Sequence, residues 1–486
     1  MRKFLMTIGA DRCPALADEW IETENPYTGE PWAVIPRGRE ADAYLAVEAA
    51  HEAGKGAWGR LTATERGRLL HRLAQLIREN SDTLVDLEVT DVGRRRTELE
   101  GGALEYIASY YEYYAGLADK VEGQVTPVDR PGMLHYTTYQ PMGVVVCIVP
   151  WNGPLLLAST KIAPALAAGN TVVVKPSEFA STSILALAEL FDEAGFPPGV
   201  LNVVTGYGNE VGSALTSHPL VRKVAFTGGN AGGAAVARSA AEGFRSVTLE
   251  LGGKSPNIVF ADADLDAALA GVSLGIFSTS GQSCMAGSRL LVHRSIADEF
   301  VDRLVASMRD ATLGDPGEPT TDIGPISTRT QFAAVLEHLD VARREGATAV
   351  LGGARALPDG GEKGWFVQPT ILTNVTNDMR IAREEIFGPV LVVIPFDTDD
   401  EAVAIANDTN FGLAAAIWTS SLARAVGIPP RLEAGTVWVN AYRVVSAMFP
   451  FGGMKDSGVG RENGTAAIKE YLETKSIIIN ATVRTR

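Results

Sequence analysis

Cys284 and Glu250 are the two residues whose types and surroundings best suit covalent chemistry. Cys284 lies in a segment of small residues, 280–285. Small neighbours give a thiol access to reactants, and a helix N-terminus would favour its thiolate. A lone cysteine is more often an inert buried residue, so this segment alone leaves both interpretations open. Glu250 is the acidic candidate for a general base, which must reach the thiol or a water molecule.

Further polar and glycine residues follow short β-branched runs of the sequence. They are Pro150, Trp151 and Asn152 after the first run (144–149), Lys175, Ser177 and Glu178 after the second (171–174), Gly228 and Gly229 after the fourth (224–226), and Glu250 and Leu251 after the fifth (247–249). Lys175 and Glu178 suit a ribose and its phosphates, because a carboxylate accepts both hydroxyls of a ribose and disfavours a 2′-phosphate. A solvated turn with an internal ion pair is the alternative.

Two glycine-rich segments are candidates for a phosphate site. Gly228 and Gly233 are spaced GxxxxG at the start of a predicted helix, where backbone N–H groups can approach a pyrophosphate. Gly208 lies in a competing turn after the third run that lacks the GxGxxG spacing, so a plain tight turn is the alternative. The chain has 50 glycines, which makes either signal weak alone.

The rhythm of the runs predicts the elements that must position these residues. The runs 144–149, 171–174, 201–204, 224–226 and 247–249 recur with helix-compatible stretches such as 181–194 and 211–217 between them. This pattern predicts a parallel sheet with helices on both faces, and ligands bind beyond the carboxyl ends of its strands. A second α/β region over 253–456 has strand candidates at 290–293, 390–395, 414–418 and 436–439.

Two other regions have distinct patterns. Residues 40–118 are predicted to be helical, with a capping box of Thr62 and Glu65. Tyr106, Tyr110, Tyr113 and Tyr114 recur at helical spacing and predict a core or interface stripe, with an aromatic tunnel wall as the alternative. Segments 134–139 and 476–480 look like short edge strands. Because exposed edges are usually covered or paired with another chain, they are interpreted as candidate subunit contacts.

Composition excludes several classes of protein. The 486 residues include 58 acidic and 43 basic ones, for a net charge of −15, which argues against nucleic-acid and membrane-surface partners. Cys13, Cys147 and Cys284 do not form a disulfide framework, so a reducing cytoplasm is expected. The six histidines lack metal-binding spacing, so no metal site is expected. No apolar stretch approaches 18 residues, and no signal peptide is expected.

Seven motifs stand in the order of the aldehyde dehydrogenase superfamily, which the chain closely resembles. They are PWN at 150–152, KPSE at 175–178, FTGG at 226–229, ELGGK at 250–254, GQSC at 281–284, EEIFGP at 384–389 and PFGGMKDSG at 450–458. The resemblance implies two Rossmann-like parallel-sheet domains and a small β oligomerisation element. It also implies oxidation of an aldehyde to the carboxylic acid through a cysteine thiohemiacetal and thioester, with hydride transfer to NAD or, alternatively, NADP.

The resemblance also implies roles for individual residues. Cys284 would be the nucleophile, Asn152 and the Cys284 N–H would stabilise the oxyanion, and Glu250 would activate water. Cofactor contacts would come from Pro150, Trp151, Lys175, Ser177, Glu178, Gly208, Gly228, Gly229, Leu251, Glu385 and Phe387. Lys161 and Glu462 match positions of proton or water networks in some members.

Departures from the family pattern concern the cofactor and the substrate. Gly229, Asn230 and Ala231 replace a segment with a hydroxyl, which puts cofactor affinity in question. Candidate substrate contacts are Gly153, Leu156, Thr160, Arg443, Val445 and Phe451, with Met448 adding apolar surface. Gly153 and Thr160 stand where aromatic residues are common and predict a wider tunnel. Arg443 would pair with a substrate carboxylate, although a surface arginine bonded to its own protein is the favoured alternative.

The domain assignment and the remaining alternatives complete these expectations. Residues 1–118 and 142–252 would bind the cofactor, 253–456 would form the catalytic domain, and 119–141 with 457–486 would form the oligomerisation element of a homodimer or homotetramer. A CoA-acylating enzyme, a cofactor-independent thioester or ester hydrolase using the same cysteine, and a non-catalytic binding protein are the competing functions. Glu250 argues against CoA acylation, since a thiol acceptor needs no activated water.

Overall fold

The computed structural model describes residues 1–480. The first of its two large sheets has eight strands, most of them parallel. From edge to edge its strands are Gly458–Val459, Ser246–Glu250, Val221–Thr227, Val144–Ile148, Thr171–Lys175, Leu201–Val203, Met6–Ile8 and Asp11–Cys13. The five strands between positions 144 and 250 run parallel, as predicted. The strand order changes direction between Val144–Ile148 and Val221–Thr227, and a crevice for ligands opens at such a point.

Alternation along Val144–Ile148 explains the helices on both faces of this sheet. Val144 and Val146 are buried in one hydrophobic cluster, while Val145 and Cys147 are buried in another. Because successive side chains of a strand point to opposite faces, an apolar run without polar alternation must be covered on both sides. The prediction of a doubly covered sheet is confirmed.

A second sheet carries the other half of the molecule. Its order is Thr348–Leu351, Thr370–Thr373, Val390–Phe396, Arg289–His293, Pro256–Val259, Ala414–Trp418 and Thr436–Val439. All neighbours run parallel except Thr348–Leu351, which is antiparallel at the edge. The four predicted strands are present, and Pro256–Val259, Thr370–Thr373 and Thr348–Leu351 join them.

Three smaller sheets complete the strands of residues 1–480. Met133–Pro141 pairs along its full length with Leu472–Asn480 and, on its other side, with Val125–Thr126. The prediction that 134–139 is an edge strand is wrong, because it lies in the central strand of this sheet, paired on both sides. Both predicted segments are longer than expected, and they pair with each other. A second small sheet comprises Arg2–Lys3, Glu30–Pro36 and Trp20–Asn25, and the third pairs Phe411–Gly412 with Met454–Lys455.

Gly458–Val459 departs from the expected arrangement of the C-terminal segment. It pairs with Ser246–Glu250, so this part of the predicted 457–486 element is joined to the first sheet. The small sheet takes only Leu472–Asn480 from that segment, and residues 481–486 of the prediction lie outside the described residues. This pairing brings the end of the PFGGMKDSG motif against Glu250.

Helices cover both large sheets. Their bounds are Glu40–Lys55, Ala57–Arg60, Ala63–Glu79, Ser81–Val92, Arg96–Glu98, Leu104–Leu117, Pro154–Ala167, Thr182–Ala194, Ser213–Ser217, Asn230–Glu242, Leu265–Phe277, Ala297–Met308, Arg329–Glu345, Arg380–Arg383, Asp399–Asn407, Leu422–Gly427 and Gly464–Ala467. Thr62 and Glu65 form the predicted capping box. Tyr110 and Tyr114 are buried in the core, which favours the core interpretation of the tyrosine stripe. No helix within residues 1–480 is long and apolar enough to cross a membrane.

Candidate active site

A cleft of about 320 Å³ opens beyond the carboxyl ends of the first sheet. It lies where the strand order changes direction and receives residues from both halves of the molecule. Predicted residues that line it are Pro150, Trp151, Asn152, Gly228, Gly229, Leu251, Cys284, Glu385 and Phe387. The fold thus brings segments more than 200 residues apart in the sequence around one thiol.

A tightly constrained loop presents Cys284 to this cleft. Gly281 has a φ of +71°, and a Cβ at this position would overlap the carbonyl oxygen of Gly388. The Gln282 side chain donates to the Thr279 carbonyl at 3.2 Å and accepts from the Ser327 N–H at 2.8 Å. These bonds hold the loop from inside while Cys284 stays partly exposed.

Asn152 lies against the same loop. It follows the strand Val144–Ile148 and precedes the helix Pro154–Ala167, and its Nδ2 donates to the Gln282 carbonyl at 3.0 Å. The side-chain amide is therefore fixed beside the residue two positions before Cys284. An amide held in this way is a preorganised donor for negative charge that develops on a substrate oxygen.

Glu250 is a buried carboxyl with unsatisfied oxygens. Only 3% of it is exposed, and neither carboxylate oxygen has a hydrogen-bond partner within residues 1–480. Burial raises its pKa well above the ordinary value, the charge of Glu462 raises it further, and Lys161 and Arg461 oppose the shift. A group in this state has hydrogen-bonding capacity for a water molecule and a strong affinity for a proton.

The Cys284 thiol holds its proton strongly in the structure as it stands. Burial raises its pKa to about 12, and the nearby carboxylates of Glu250 and Glu385 contribute in the same direction. Arg443 and the Met285 N–H, which donates to the sulfur, oppose this rise. The thiol is therefore protonated near neutral pH, and its reaction as a nucleophile requires a proton acceptor or added positive charge.

Helix Asn230–Glu242 supplies groups that fit a dinucleotide pyrophosphate. Gly229 is its N-cap without a side-chain hydrogen bond, so the first backbone N–H groups of the helix lack a side-chain cap. A Cβ at Gly229 would meet no atom within 4 Å, which leaves space beside these donors. Such a helix N-terminus attracts phosphate through its free N–H groups and its dipole.

Asn230, the unusual residue at this helix start, connects two loops. Its Nδ2 donates to the Asp456 carbonyl at 2.8 Å, and its Oδ1 accepts from the Gly252 N–H at 3.2 Å. The side chain that replaces the family hydroxyl is thus occupied by its own protein.

Glu385 and Phe387 form the opposite wall of the cleft. Glu385 accepts from the Gly253 N–H at 3.0 Å, and burial raises its pKa to about 7. The Phe387 ring meets Trp151 edge-on, with centroids 5.3 Å apart. Phe387 has a φ of +56°, and the Gln331 side chain stabilises this strained turn by donating to the carbonyls of Ile386 and Phe387 at 2.7 and 3.1 Å.

Lys175, Ser177, Glu178 and Gly208 lie outside the cleft that contains Cys284. Lys175 donates to Glu178 at 3.3 Å and to the Pro176 carbonyl at 3.0 Å, and burial lowers its pKa. Glu178 lines a neighbouring groove of about 120 Å³, which Tyr207 and Trp365 also line. The internal ion pair foreseen as an alternative is therefore present, and it lies at the carboxyl end of the neighbouring strand Thr171–Lys175.

The predicted substrate residues are more dispersed. Gly153 caps helix Pro154–Ala167, Leu156 packs against the core, and Thr160 is buried with its hydroxyl donating to the Leu157 carbonyl at 3.0 Å. Val445 packs against the core of the second half. Phe451 exchanges backbone hydrogen bonds with Glu462.

Lys161 and Glu462, which match positions of proton or water networks, form a buried ion pair. The Lys161 ammonium donates to Glu462 at 2.5 Å and to the Thr227 hydroxyl at 2.6 Å, and both charged side chains are almost fully buried. Glu462 in turn raises the pKa of Glu250. This buried pair therefore belongs to the electrostatic surroundings of the cleft.

Several cleft residues were not foreseen from the sequence. Gln331, Ala334 and His338 line the cleft from one face of helix Arg329–Glu345. Their spacing of three and four residues is the only signal that places them together. It gives no indication of the loop that they face.

Comparison with known proteins decides the family. The aldehyde dehydrogenase family model matches residues 15–477. The chain belongs to the aldehyde dehydrogenase family. It is 46% identical over 459 residues, 94% of this chain and 93% of the relative, to (Z)-2-((N-methylformamido)methylene)-5-hydroxybutyrolactone dehydrogenase of Acinetobacter baylyi. It is 43% identical over 473 residues to human retinal dehydrogenase 2, covering 95% of this chain and 90% of the relative.

Solved structures agree with this assignment. An NAD+ complex of aldehyde dehydrogenase from Bacillus cereus superposes with a TM-score of 0.96 at 43% identity, covering 99% of this chain and 97% of that one. Betaine aldehyde dehydrogenase from Staphylococcus aureus gives 0.97 at 38% identity, covering 99% and 95%. The protein is an NAD-dependent aldehyde dehydrogenase that oxidises an aldehyde to the carboxylic acid by the cysteine mechanism of its family.

Proposed function

We propose that Cys284, Asn152 and Glu250 are the residues that carry out this oxidation. The supporting observation is that Cys284 and Asn152 meet in one cleft at the switch point of the first sheet. Glu250, with two unpartnered carboxylate oxygens, is near enough to act on the pKa of the thiol. Nucleophile, oxyanion donor and base are thereby available to a single bound carbonyl group.

In the first step the Cys284 sulfur forms a bond to the carbonyl carbon of the aldehyde. The thiol proton passes to solvent water, so that Glu250 remains a carboxylate, and the electron pair of the C=O bond moves to oxygen. Asn152 Nδ2 and the Cys284 N–H donate to that oxygen, and each such donor lowers the barrier by about 3 kcal/mol. When bound, NAD supplies the acceptor for the hydride that leaves the substrate carbon, and a thioester on Cys284 remains.

In the second step Glu250 takes a proton from a water molecule whose oxygen attacks the thioester carbon. The carbon–sulfur bond breaks, the carboxylic acid leaves, and the sulfur of Cys284 recovers a proton. A carboxylate with a raised pKa is a stronger base than an ordinary one, which suits this task. The burial of Glu250 therefore serves hydrolysis.

The cofactor has a set of residues suited to each of its parts. The N-terminal N–H groups beside Gly228 and Gly229 would hold the pyrophosphate, and Glu385 would bind the nicotinamide ribose. Lys175, Ser177 and Glu178 would hold the adenosine ribose, with Gly208 beside them, and the carboxylate of Glu178 favours NAD over NADP. Pro150, Trp151, Leu251 and Phe387 would form the apolar walls, and Gly153, Leu156, Thr160, Val445 and Phe451 would line the substrate side.

The domain roles, assembly and location follow the same proposal. Residues 1–118 and 142–252 bind the cofactor, and 253–456 carry Cys284. In the sheet of Leu472–Asn480, Met133–Pro141 and Val125–Thr126, Leu134 is exposed, as are Ile478 and Ile479 in the edge strand. This exposed apolar surface at a sheet edge supports a homodimer or homotetramer built on this element. Cys13, Cys147 and Cys284 form no disulfide in the described residues, which suits a reducing cytoplasm.

Absorbance at 340 nm during incubation with NAD and a panel of aldehydes tests the residue assignment. We expect Cys284→Ser to abolish NADH formation, while the matched variant Cys13→Ser retains the wild-type rate. Turnover that remains in Cys284→Ser refutes the assignment. Turnover that requires coenzyme A would show thiol transfer in place of hydrolysis.

A further inference from the structure

Arg443 carries a guanidinium that has no side-chain or backbone partner among residues 1–480. Its side chain is half-buried, and it forms no hydrogen bond or ion pair with any residue of the described chain, 1–480. Its Nη1 is buried without an acceptor. An arginine bonded to its own protein was the favoured expectation, and the structure contains no such bond. A buried, unsatisfied donor on a charged group is costly, so its presence calls for a ligand that supplies acceptors.

Arg443 is anchored next to the loop that presents Cys284. The hydroxyl of the preceding residue, Tyr442, donates to the Met285 carbonyl at 2.9 Å. The Arg443 charge lowers the pKa of the Cys284 thiol, so the guanidinium is within electrostatic range of the sulfur. The positive φ of Arg443, +57°, is an unusual backbone conformation for a residue with a side chain.

The charged neighbours of Arg443 are already engaged elsewhere. Glu98 accepts from Arg95 at 2.7 Å and from the Thr279 N–H at 2.9 Å. Arg94 donates to Glu88 at 3.2 Å, and its Nε is buried without an acceptor. Burial lowers the pKa of Arg443, the charge of Glu98 opposes this shift and that of Arg94 adds to it. Glu98 forms no ion pair with Arg443 in the described chain. A spare positive charge and free N–H donors therefore remain beside the thiol.

Space for a substrate is available on the Asn152 side. A Cβ at Gly153 would have Leu157 Cδ1 as its nearest neighbour, at 3.9 Å, an ordinary contact that leaves room for a larger group. The Thr160 hydroxyl bonds within its own helix and presents no unpaired polar atom. Arg443 is therefore a cation with an unpaired donor next to the Cys284 loop.

We propose that Arg443 binds a carboxylate on the aldehyde substrate, so that the physiological substrate is an aldehyde bearing a carboxylate group. The guanidinium offers two parallel N–H donors to a carboxylate, and this geometry gives both affinity and orientation. This inference rests on the proposed function, because it assigns the substrate class of the same site. The product would be a dicarboxylate.

Two substrates of matched shape test the inference. In 5-oxopentanoate a carboxylate occupies the place of the isopropyl group of 5-methylhexanal. We expect wild-type kcat/KM to favour 5-oxopentanoate and this preference to fall about 10- to 100-fold in Arg443→Met, mainly through KM, as expected for a lost hydrogen bond between charged groups. Arg443→Lys should lie between, and the exposed Arg343→Met should keep the wild-type preference.

The opposite results are equally specific. An unchanged preference in Arg443→Met, or a wild-type preference for 5-methylhexanal, overturns the inference. Equal loss with both substrates shows a structural role and also overturns it. Protection of Cys284 from iodoacetamide by glutarate needs no turnover, so it separates this inference from the proposed function. We expect Arg443→Met to weaken that protection about tenfold or more, and equal protection in both proteins contradicts a carboxylate site.

Discussion

Replacement of Asn152 by alanine removes a single donor whose position is fixed by the fold. The Nδ2 group donates to the Gln282 carbonyl at 3.0 Å, so the substitution costs the resting protein one hydrogen bond, about 1 kcal/mol of the free energy of unfolding. In the transition state it removes an oxyanion donor, which raises the barrier by about 3 kcal/mol. Since 1.36 kcal/mol is a factor of ten in rate, we expect kcat to fall about 150-fold.

Steady-state NADH formation measures this loss, and alkylation of Cys284 by iodoacetamide serves as its control. Asn152 is not among the groups that shift the pKa of the thiol, so alkylation of Asn152→Ala should stay close to the wild-type rate. A decrease of kcat smaller than about threefold would refute the oxyanion role, given the expected magnitude. Equal losses of alkylation and turnover would show that the loop had collapsed.

Three further predictions concern the base, the thiol and the loop. Glu250→Gln should give a burst of one NADH per active site, followed by turnover slowed about 100- to 10,000-fold. The exposed Glu193→Gln should keep the wild-type rate. Slow turnover without a burst contradicts the assignment of Glu250 to hydrolysis of the thioester. Without cofactor, alkylation of Cys284 should increase with pH beyond 10, because its pKa is raised to about 12 and the thiolate forms only as pH approaches that value. Glu250→Gln should shift this increase in the alkylation rate to lower pH, because it removes a negative charge that raises the pKa of the thiol. An alkylation rate that reaches its plateau by pH 9 contradicts the burial argument. Gly281→Ala should lower the free energy of unfolding in urea by about 2–4 kcal/mol, because the new Cβ would overlap the Gly388 carbonyl at a residue with positive φ. The control Gly116→Ala has open space around its Cβ and should stabilise the protein by about 0.5–1 kcal/mol. Equal urea midpoints for the two variants would refute this explanation.

The strands of the first sheet could be predicted because their signal is local. Each of the runs between 144 and 249 is short and rich in β-branched residues, and the spacing between runs allows a helix. Met6–Ile8 and Asp11–Cys13 carry no such signal, since they are three residues long and Thr7 pairs with Val203, far along the chain. Pro256–Val259 was missed for a related reason, because it is only four residues long and begins with proline, which usually avoids central strands.

The candidate site shows the same division between local and distant information. Motif positions predicted Cys284, Asn152 and Glu385 as site residues, because their residue types and order are visible in the sequence, and the three line one cleft. The contact of Gln331 with the carbonyl of Phe387 arises only when helix Arg329–Glu345 packs against the 385–387 turn. The sequence could not show that Arg443 is unpaired either, since this depends on how the fold places every neighbouring side chain.

Mass spectrometry of Cys284 during turnover tests the central claim most directly. Glu250→Gln mixed with NAD and an excess of aldehyde, then quenched in acid, should carry one acyl group per chain as a thioester on the peptide containing Cys284. Hydroxylamine should remove that group. Formation of NADH with no acyl group on Cys284, or with the acyl group on Cys13 or Cys147, would contradict the account.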